Sequence, residues 1–416
     1  MPCIDDALDK EMPSIIDDAI ELIRIPSRNP PGEERRCAEY IHSRLNELGF
    51  TSMLIHEPYA DRPQVLAYPS DSRFDELRVV LNGHIDTVPE GSIERWSVDP
   101  FSGIIKDGKI YGRGSADMKA ALAIMMHICR IVDRRDLLLS FAIGEERAEP
   151  GTSTILKHVR RLGIDRLRYG IVMEPTSLRI ATCQMGAIWL KVRVKGRATH
   201  ASIPYAGINA IVRACKAIGA FEAYARDISK GSISNSSNSS NSSNNKSSNS
   251  ISNSISMISS SKRRCIPRCS VTMIAGGVKE NIVPDECSFT IDRRVAPYED
   301  VKDVIDEIKA VLDAYAEEYE MSIIAERSPV CIDESSIIVR GLSDALASIG
   351  MKDGDDLLYC FPGSTDNEHI VREGIESIVW GPGSIEQAHA VDEHIEIDDV
   401  RRCAYALALL LSRLGY

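Results

Sequence analysis

The 416-residue chain predicts an α/β fold, a largely parallel-sheet domain interrupted by an inserted α+β domain of ferredoxin-like order. Three observations carry this. Apolar runs at Leu77–Leu81, Leu137–Ile143 and Tyr169–Met173 alternate with amphipathic helical stretches, the pattern of strands buried on both faces between helices. From Ala187 the strands alternate apolar and polar, as one-face-buried strands do. After about residue 330 the first pattern resumes, so the second domain is inserted within the first. The length suits two domains with ample core.

Residues 12–24 and 33–48 read as amphipathic helices, separated by Pro26, Pro30, Pro31 and Gly32. Short strands follow at Met53–His56 and Val65–Tyr68, then the run that leads into Asn82-Gly83-His84. Gly103–Gly114 predicts a hairpin turning at Asp107-Gly108, and Asp117 opens a helix whose apolar positions run from Met118 to Val132. Leu137–Ile143 is a strand, Gly151–Leu162 a helix, and Tyr169–Met173 a strand.

The insert reads as a strand at Ala187–Val194, a helix at Ile208–Ala225, strands at Val271–Ile274 and Cys287–Asp292, a helix at Val301–Tyr319 and a strand at Met321–Ala325. Strand-helix-strand-strand-helix-strand is the ferredoxin-like order. Helix 335–348, strand 356–360, helix 367–373, strand 376–380 and helix 397–414 complete the first domain. The expected domains are therefore 1–183 with 330–416, and 184–329. Residues 231–261 are almost entirely Ser and Asn, with Lys246 the single charge; such a tract cannot bury a core and predicts a disordered loop.

A formal net charge of −12 and the lack of a basic stripe argue against nucleic-acid binding. No segment approaches the roughly 18 apolar residues that span a bilayer. The acidic start, Met1-Pro2-Cys3-Ile4-Asp5-Asp6, is unlike a signal or transit peptide. Eleven singly scattered cysteines, an odd number, suggest a reducing compartment and a cytoplasmic protein. Cys265 and Cys269 form a CxxxC pair, half of a metal site at most, with no second pair at zinc-finger spacing.

Metal-binding residue types gather at the predicted strand ends: His84 and Asp86, Glu145 and Glu146, Glu174, and His389 with Asp392 and Glu393. Asp117 follows the glycines at 112 and 114. In a parallel sheet, ligands bind at the carboxyl ends of the strands. Two imidazoles and three or four carboxylates on one edge suit two Zn²⁺ or similar ions. Residues two apart on extended backbone share a face, so Asp86 can orient the His84 ring. Plainer readings exist for single residues: a solvated loop at Glu145-Glu146, and a helix N-cap at Asp117.

The motifs LNGHIDTVP (81–89), WSVDPF (96–101), GRGSADMKA (112–120), GEE (144–146), MEPT (173–176), GRATHASIP (196–204), NIVP (281–284), IDRR (291–294) and GPG…AH..DE (381–393) run through nearly the whole chain. In kind and order they resemble the acetylornithine deacetylase and succinyl-diaminopimelate desuccinylase family, which includes aminoacylases and metallo-carboxypeptidases. The resemblance implies two divalent ions per chain, zinc or cobalt. His84, Asp117 and Glu174 match the ligands of one ion; Asp117, Glu146 and His389 match those of the other, so Asp117 bridges.

Glu145 matches the general base, and Asp86 the residue behind His84. His200 matches an imidazole of the inserted lid that, in the family's dimers, reaches the partner's site and stabilises an oxyanion. Arg294 and Asn281 match lid positions that hold the substrate carboxylate. The resemblance thus implies a homodimer through the lid and a small N-acyl amino acid as substrate, with a metallo-dipeptidase or carboxypeptidase as the alternative. The chain departs from the family at Gly144, where Asp is usual, at Ala120, where Gly is usual, and in the approximate loop Gly363–Asn367.

Overall fold

The computed structural model describes residues 4–229, 265–351 and 357–414. In chain order the elements are α1 (Ile4–Arg24), α2 (Arg35–Glu47), β1 (Phe50–Ile55), β2 (Gln64–Pro69), β3 (Val79–His84), β4 (Ile105–Lys106), β5 (Lys109–Tyr111), α3 (Ala120–Ile131), β6 (Leu137–Ala142), α4 (Gly151–Arg161), β7 (Tyr169–Val172) and β8 (Ile180–Gln184). There follow β9 (Gly186–Lys195), β10 (Thr199–His200), α5 (Ala210–Ser229), β11 (Arg268–Gly276), β12 (Ile282–Val283), β13 (Glu286–Val295), α6 (Val301–Tyr315), β14 (Tyr319–Arg327) and β15 (Val330–Cys331). The chain closes with α7 (Ile337–Ser348), β16 (Leu358–Phe361), α8 (Asn367–Arg372), β17 (Glu376–Val379), β18 (His394–Glu396) and α9 (Ile397–Arg413). The Ser/Asn tract lies outside the described residues. Among the described residues, no helix is long and apolar enough to cross a membrane.

Two compact units result. The first comprises residues 1–182, 332–359 and 365–416; the second comprises 183–331 and also takes Cys360–Ser364. In the first unit, β6, β3, β7 and β17 are neighbours and all parallel, while β1 and β2 add antiparallel strands beside β6 and β8 runs antiparallel to β17. The sheet is therefore mixed α/β, parallel at its centre. β3 and β6 are buried along their whole lengths, as the continuous runs VVL and LLLSFA require when helices cover both faces. α1 contributes Leu8, Met12, Ile15, Ala19, Leu22 and Ile23 to the core, an apolar stripe at helical spacing.

The second unit holds a four-stranded antiparallel sheet in the order β11-β13-β9-β14. Its core is one-sided: Ile188, Leu190, Val192, Val194, Phe289 and Ile291 face Ala214, Phe221, Ile308 and Leu312 of α5 and α6. Asp300 caps α6 by accepting from the Lys302 and Asp303 main-chain N–H groups at 2.8 and 3.3 Å.

Two expectations fail here. Asp117 does not open a helix: with φ −124° and ψ 88° it is extended, and α3 begins at Ala120. Apolar periodicity marks the helix but not where its first turn closes. The cysteines are not all free, since Cys183 pairs with Cys331 and Cys265 with Cys360 within the second unit. Cys183 and Cys331 stand at the ends of the inserted segment, 148 residues apart, so no spacing rule could pair them. Cys265, being bonded to Cys360, cannot contribute to a CxxxC metal site. Disulfides are rare in reducing compartments, so these pairs weigh against the one first expected.

Candidate metal centre

Because β6, β3, β7 and β17 are parallel neighbours, the segments that leave their carboxyl ends share one edge of the first unit. β3 ends on His84, β6 leads into Glu145-Glu146, β7 into Glu174, and β17 into the loop carrying His389. The His84 Nε2 lies 3.0 Å from Asp117 Oδ1 and 4.0 Å from Glu174 Oε1. The His389 Nε2 lies 3.6 Å from Asp117 Oδ2 and 3.1 Å from Glu146 Oε2. Each oxygen of Asp117 thus faces a different imidazole.

Donor atoms of His84, Asp117 and Glu146 all lie within 4.8 Å of one another. Atoms bound to one Zn²⁺ at ordinary Zn–N and Zn–O lengths sit about 3–4 Å apart, so this nitrogen and carboxylate set, spread up to 4.8 Å, is a candidate to hold a divalent cation. The electrostatics agree. Burial and the neighbouring Asp117 charge push Glu174 well above the usual carboxylate range, and burial raises Glu146. Burial is the largest influence on His84 and opposes a charged ring, but the bond to Asp117 and the surrounding carboxylate charges together outweigh it and lift its pKa well above the ordinary value. His389, with 52% of its side chain exposed, is raised to about 9, chiefly by its bond to Glu146. Packed carboxylates of this kind need positive charge among them.

The expected role of Asp86 changes. Its carboxylate is 3.6 Å from His84 Nδ1, too far for a hydrogen bond. Instead the ring donates to the Asp86 main-chain carbonyl at 2.8 Å. The carboxylate, 0% exposed, accepts from the main-chain N–H groups of Glu145 and Glu146, both at 3.2 Å, and from Asn29 Nδ2 at 3.1 Å. The strand stops at His84, so the i and i+2 rule no longer holds where Asp86 sits. The Asp86 carboxylate organises the two glutamates, and its main-chain carbonyl holds the imidazole.

Those glutamates occupy a single 3-10 turn, not extended backbone. Gly144 enters it at φ +80°, where a Cβ would meet Glu149 Cβ at 2.6 Å, so glycine suits this position in this chain. Glu149 accepts from Arg62 at 2.7 Å and from Asn29 at 3.4 Å, and Arg62 grips buried Glu34 with two further bonds. Asn29, Arg62, Glu34 and Glu149 lie in or beside loops, where no periodicity singled them out.

In the second unit, His200 pairs with Ile282 across the short β10–β12 ribbon, and the Asn281 carbonyl accepts from the Ala201 N–H at 2.9 Å. Both residues are exposed at that end. Arg294 pairs with Ala187 at the other end of β9, whereas the ribbon adjoins Gly196, whose N–H donates to Asp285. Nine residues of strand separate these positions, roughly 25–30 Å at about 3.3 Å per residue. Within one chain Arg294 and Asn281 therefore lie at opposite ends of the sheet, because β13 carries Arg294 away from the ribbon. The Arg294 fork holds Asp292, with Nε and Nη2 donating at 2.8 and 2.9 Å, and 28% of its side chain is exposed.

Similar proteins agree with this architecture. A succinyl-diaminopimelate desuccinylase of Thioalkalivibrio sulfidiphilus is 26% identical over 97% of this chain and 99% of its own. An acetylornithine deacetylase of Myxococcus xanthus is 24% identical over 89% and 90%. The solved structure of a dipeptidase from Saccharomyces cerevisiae shares the fold with a TM-score of 0.74 at 15% identity, covering 98% of this chain and 97% of that one. Residues 80–413 match peptidase family M20/M25/M40, most of the chain, and the protein belongs to that family of hydrolases.

Proposed function

We propose that this protein is a dinuclear metal amidohydrolase that removes the acyl group from an N-acyl amino acid, in amino-acid biosynthesis. Acetylornithine and succinyl-diaminopimelate define the substrate class. Asp117 carries the proposal, because its two oxygens face two imidazoles as a bridging carboxylate would. His84, Asp117 and Glu174 would hold one ion, and Asp117, Glu146 and His389 the other, zinc or cobalt. When bound, such ions supply Lewis acidity to a water and to an amide carbonyl.

Glu145 shares the turn of Glu146 but is not in the ligand set. It takes a proton from the attacking water and returns it to the leaving amine. The C–O bond forms, the C–N bond breaks, and a carboxylate and a free amine result. The main-chain N–H of Ser202 donates to His200 Nδ1 at 3.2 Å, so the neutral ring carries its proton on Nε2. That N–H suits the oxyanion developing on the carbonyl. Arg294 offers a planar fork to the substrate carboxylate, which must compete with Asp292.

The proposed partner is a second copy of the chain, joined through the lid formed by the second unit. The separation of Arg294 from His200 supports this, because one small substrate cannot touch both in a single chain. A net charge of −12 speaks against nucleic acid. The proposed compartment is the cytoplasm, against which the two disulfides stand; finding them formed in the protein as isolated from cells would overturn it.

The deciding assay offers purified enzyme with Zn²⁺ or Co²⁺ N-acetyl-ornithine, N-succinyl-diaminopimelate and a dipeptide panel. Release of a free amine from an N-acyl amino acid is expected; cleavage of dipeptides alone would favour the metallo-dipeptidase or carboxypeptidase alternative. Co-expressed His200→Ala and Glu145→Ala chains, each inactive alone, regain activity together if His200 serves the partner's site.

A further inference from the structure

Among the buried carboxylates that the mechanism above does not use, Glu393 bonds directly to the turn of Asp117. Glu393 is 1% exposed and lies four residues after His389. Its Oε2 accepts from Arg113 Nη1 at 2.6 Å and from the Gly114 main-chain N–H at 3.0 Å. Its Oε1 accepts from the main-chain N–H groups of Ala116 at 3.0 Å and Asp117 at 3.1 Å. Both oxygens are thus occupied by two donors each, which excludes Glu393 from the ligand set despite its place in the sequence.

The donors share a location. Three are main-chain groups of residues 114–117, the irregular turn that delivers Asp117 with φ −124°. Lacking helical bonds at that point, these N–H groups need another acceptor. Glu393 in turn ends the loop that carries His389, where His389 and Asp392 both hold positive φ, 62° and 57°. Such conformations persist only where the surroundings hold them. Asp392 is held by the Ser97 N–H at 2.7 Å, and the Gly112 N–H donates to the Glu393 carbonyl at 2.9 Å.

We infer that Glu393 is a positioning residue for the metal centre, fastening the turn of Asp117 to the loop of His389 so that both ligands are held together. This rests on the metal-centre reading of these residues. A glutamine has the right shape but the wrong chemistry. Whichever way its amide turns, its NH₂ faces two donors and leaves them without an acceptor.

Zinc affinity of the apoenzyme, measured by chelator competition, tests this together with the visible absorption of the Co²⁺ form. Glu393→Gln is expected to weaken metal binding about 10- to 100-fold, the usual cost of losing a group behind the ligands, and to alter the Co²⁺ spectrum. Glu393→Asp keeps charge and both oxygens one methylene short, and serves if the glutamine variant does not fold. Leu45→Ala, in the core under α2, controls for simple destabilisation. It should lower the melting temperature while keeping wild-type metal affinity and spectrum. Folded position-393 variants with wild-type affinity and spectrum overturn the inference, as does a Leu45→Ala enzyme that loses affinity equally. A wild-type protein that takes up no metal fails the underlying reading instead.

Discussion

Replacing Asp86 with Ala separates two roles that look alike in the sequence. The carboxylate is wholly buried and accepts from Glu145 N–H, Glu146 N–H and Asn29. Removing it orphans two main-chain donors, each costing about 1–3 kcal/mol, so a stability loss of about 2–6 kcal/mol is expected. The larger effect is local. The turn carrying Glu146 loses its anchor, so the ion held with His389 should bind about 10- to 100-fold more weakly. The His84 bond to the Asp86 carbonyl survives the substitution, because it uses the main chain. In the proposed centre, an ion at His84, Asp117 and Glu174 should therefore keep its affinity.

The assay is zinc titration of Asp86→Ala in a His389→Ala background, where a single site remains. An undiminished affinity is the expected result. A drop of tenfold or more at that site would mean that the carboxylate does orient His84, and the geometric reasoning would be wrong.

Four further outcomes are expected. Glu145→Gln should lower kcat by about 10²–10⁴-fold with both metals retained on metal analysis; loss of metal would mean that Glu145, not Glu146, is the ligand. In the metal-free protein His389 is raised to about 9, so at pH 7 it is protonated and must release that proton to bind an ion. Zinc affinity should rise with pH as His389 and the likewise raised His84 lose their protons, and calorimetry in buffers of different ionisation enthalpy should detect proton release; a pH-independent affinity would refute this.

Asp18, buried, accepts from His127 at 2.5 Å, Tyr40 at 2.5 Å and Arg44 at 2.9 Å. Asp18→Ala should cost about 3–5 kcal/mol in denaturant unfolding, and a loss below 1 kcal/mol would show the network to be dispensable. Burial opposes the Asp18 charge, but these bonds outweigh it and depress its pKa. Its stabilising share is therefore present above the unfolded value and lost as pH falls through the folded one. Of eleven cysteines, the two disulfides leave seven thiols, so a thiol titration of denatured, unreduced protein should read seven. A reading of eleven would mean that neither bond forms.

The groups of the candidate centre could be read in advance because they follow apolar runs. A parallel strand delivers whatever comes after it to the sheet's carboxyl edge, so His84, Glu145, Glu146, Glu174 and His389 could be gathered there from their places, while sorting ligands from neighbours rested on the family resemblance. Asp117 was found through its glycine-rich approach, although its helix was placed three residues early. The short strands β8, β10, β12, β15 and β18 went unseen. Strands of two to five residues carry too little periodicity to stand out from loops. Asn29, Arg62, Glu34 and Glu149 stayed hidden for a related reason, since a buried polar residue declares itself only through partners that are distant in sequence.

What the sequence alone determined is therefore the set of chemical groups and the edge to which strand order brings them. Apolar periodicity encodes elements, and elements encode which residues emerge at their ends. The tertiary structure decided how each group is used. It gave the His84 proton to a main-chain carbonyl and turned the Asp86 carboxylate to the glutamate turn. It set Arg294 at the far end of β13 from Asn281, and filled both oxygens of Glu393 with the donors of the Asp117 turn. These choices turn on which partners come within hydrogen-bond distance once the chain is folded, most of them far apart in sequence, which no local pattern records.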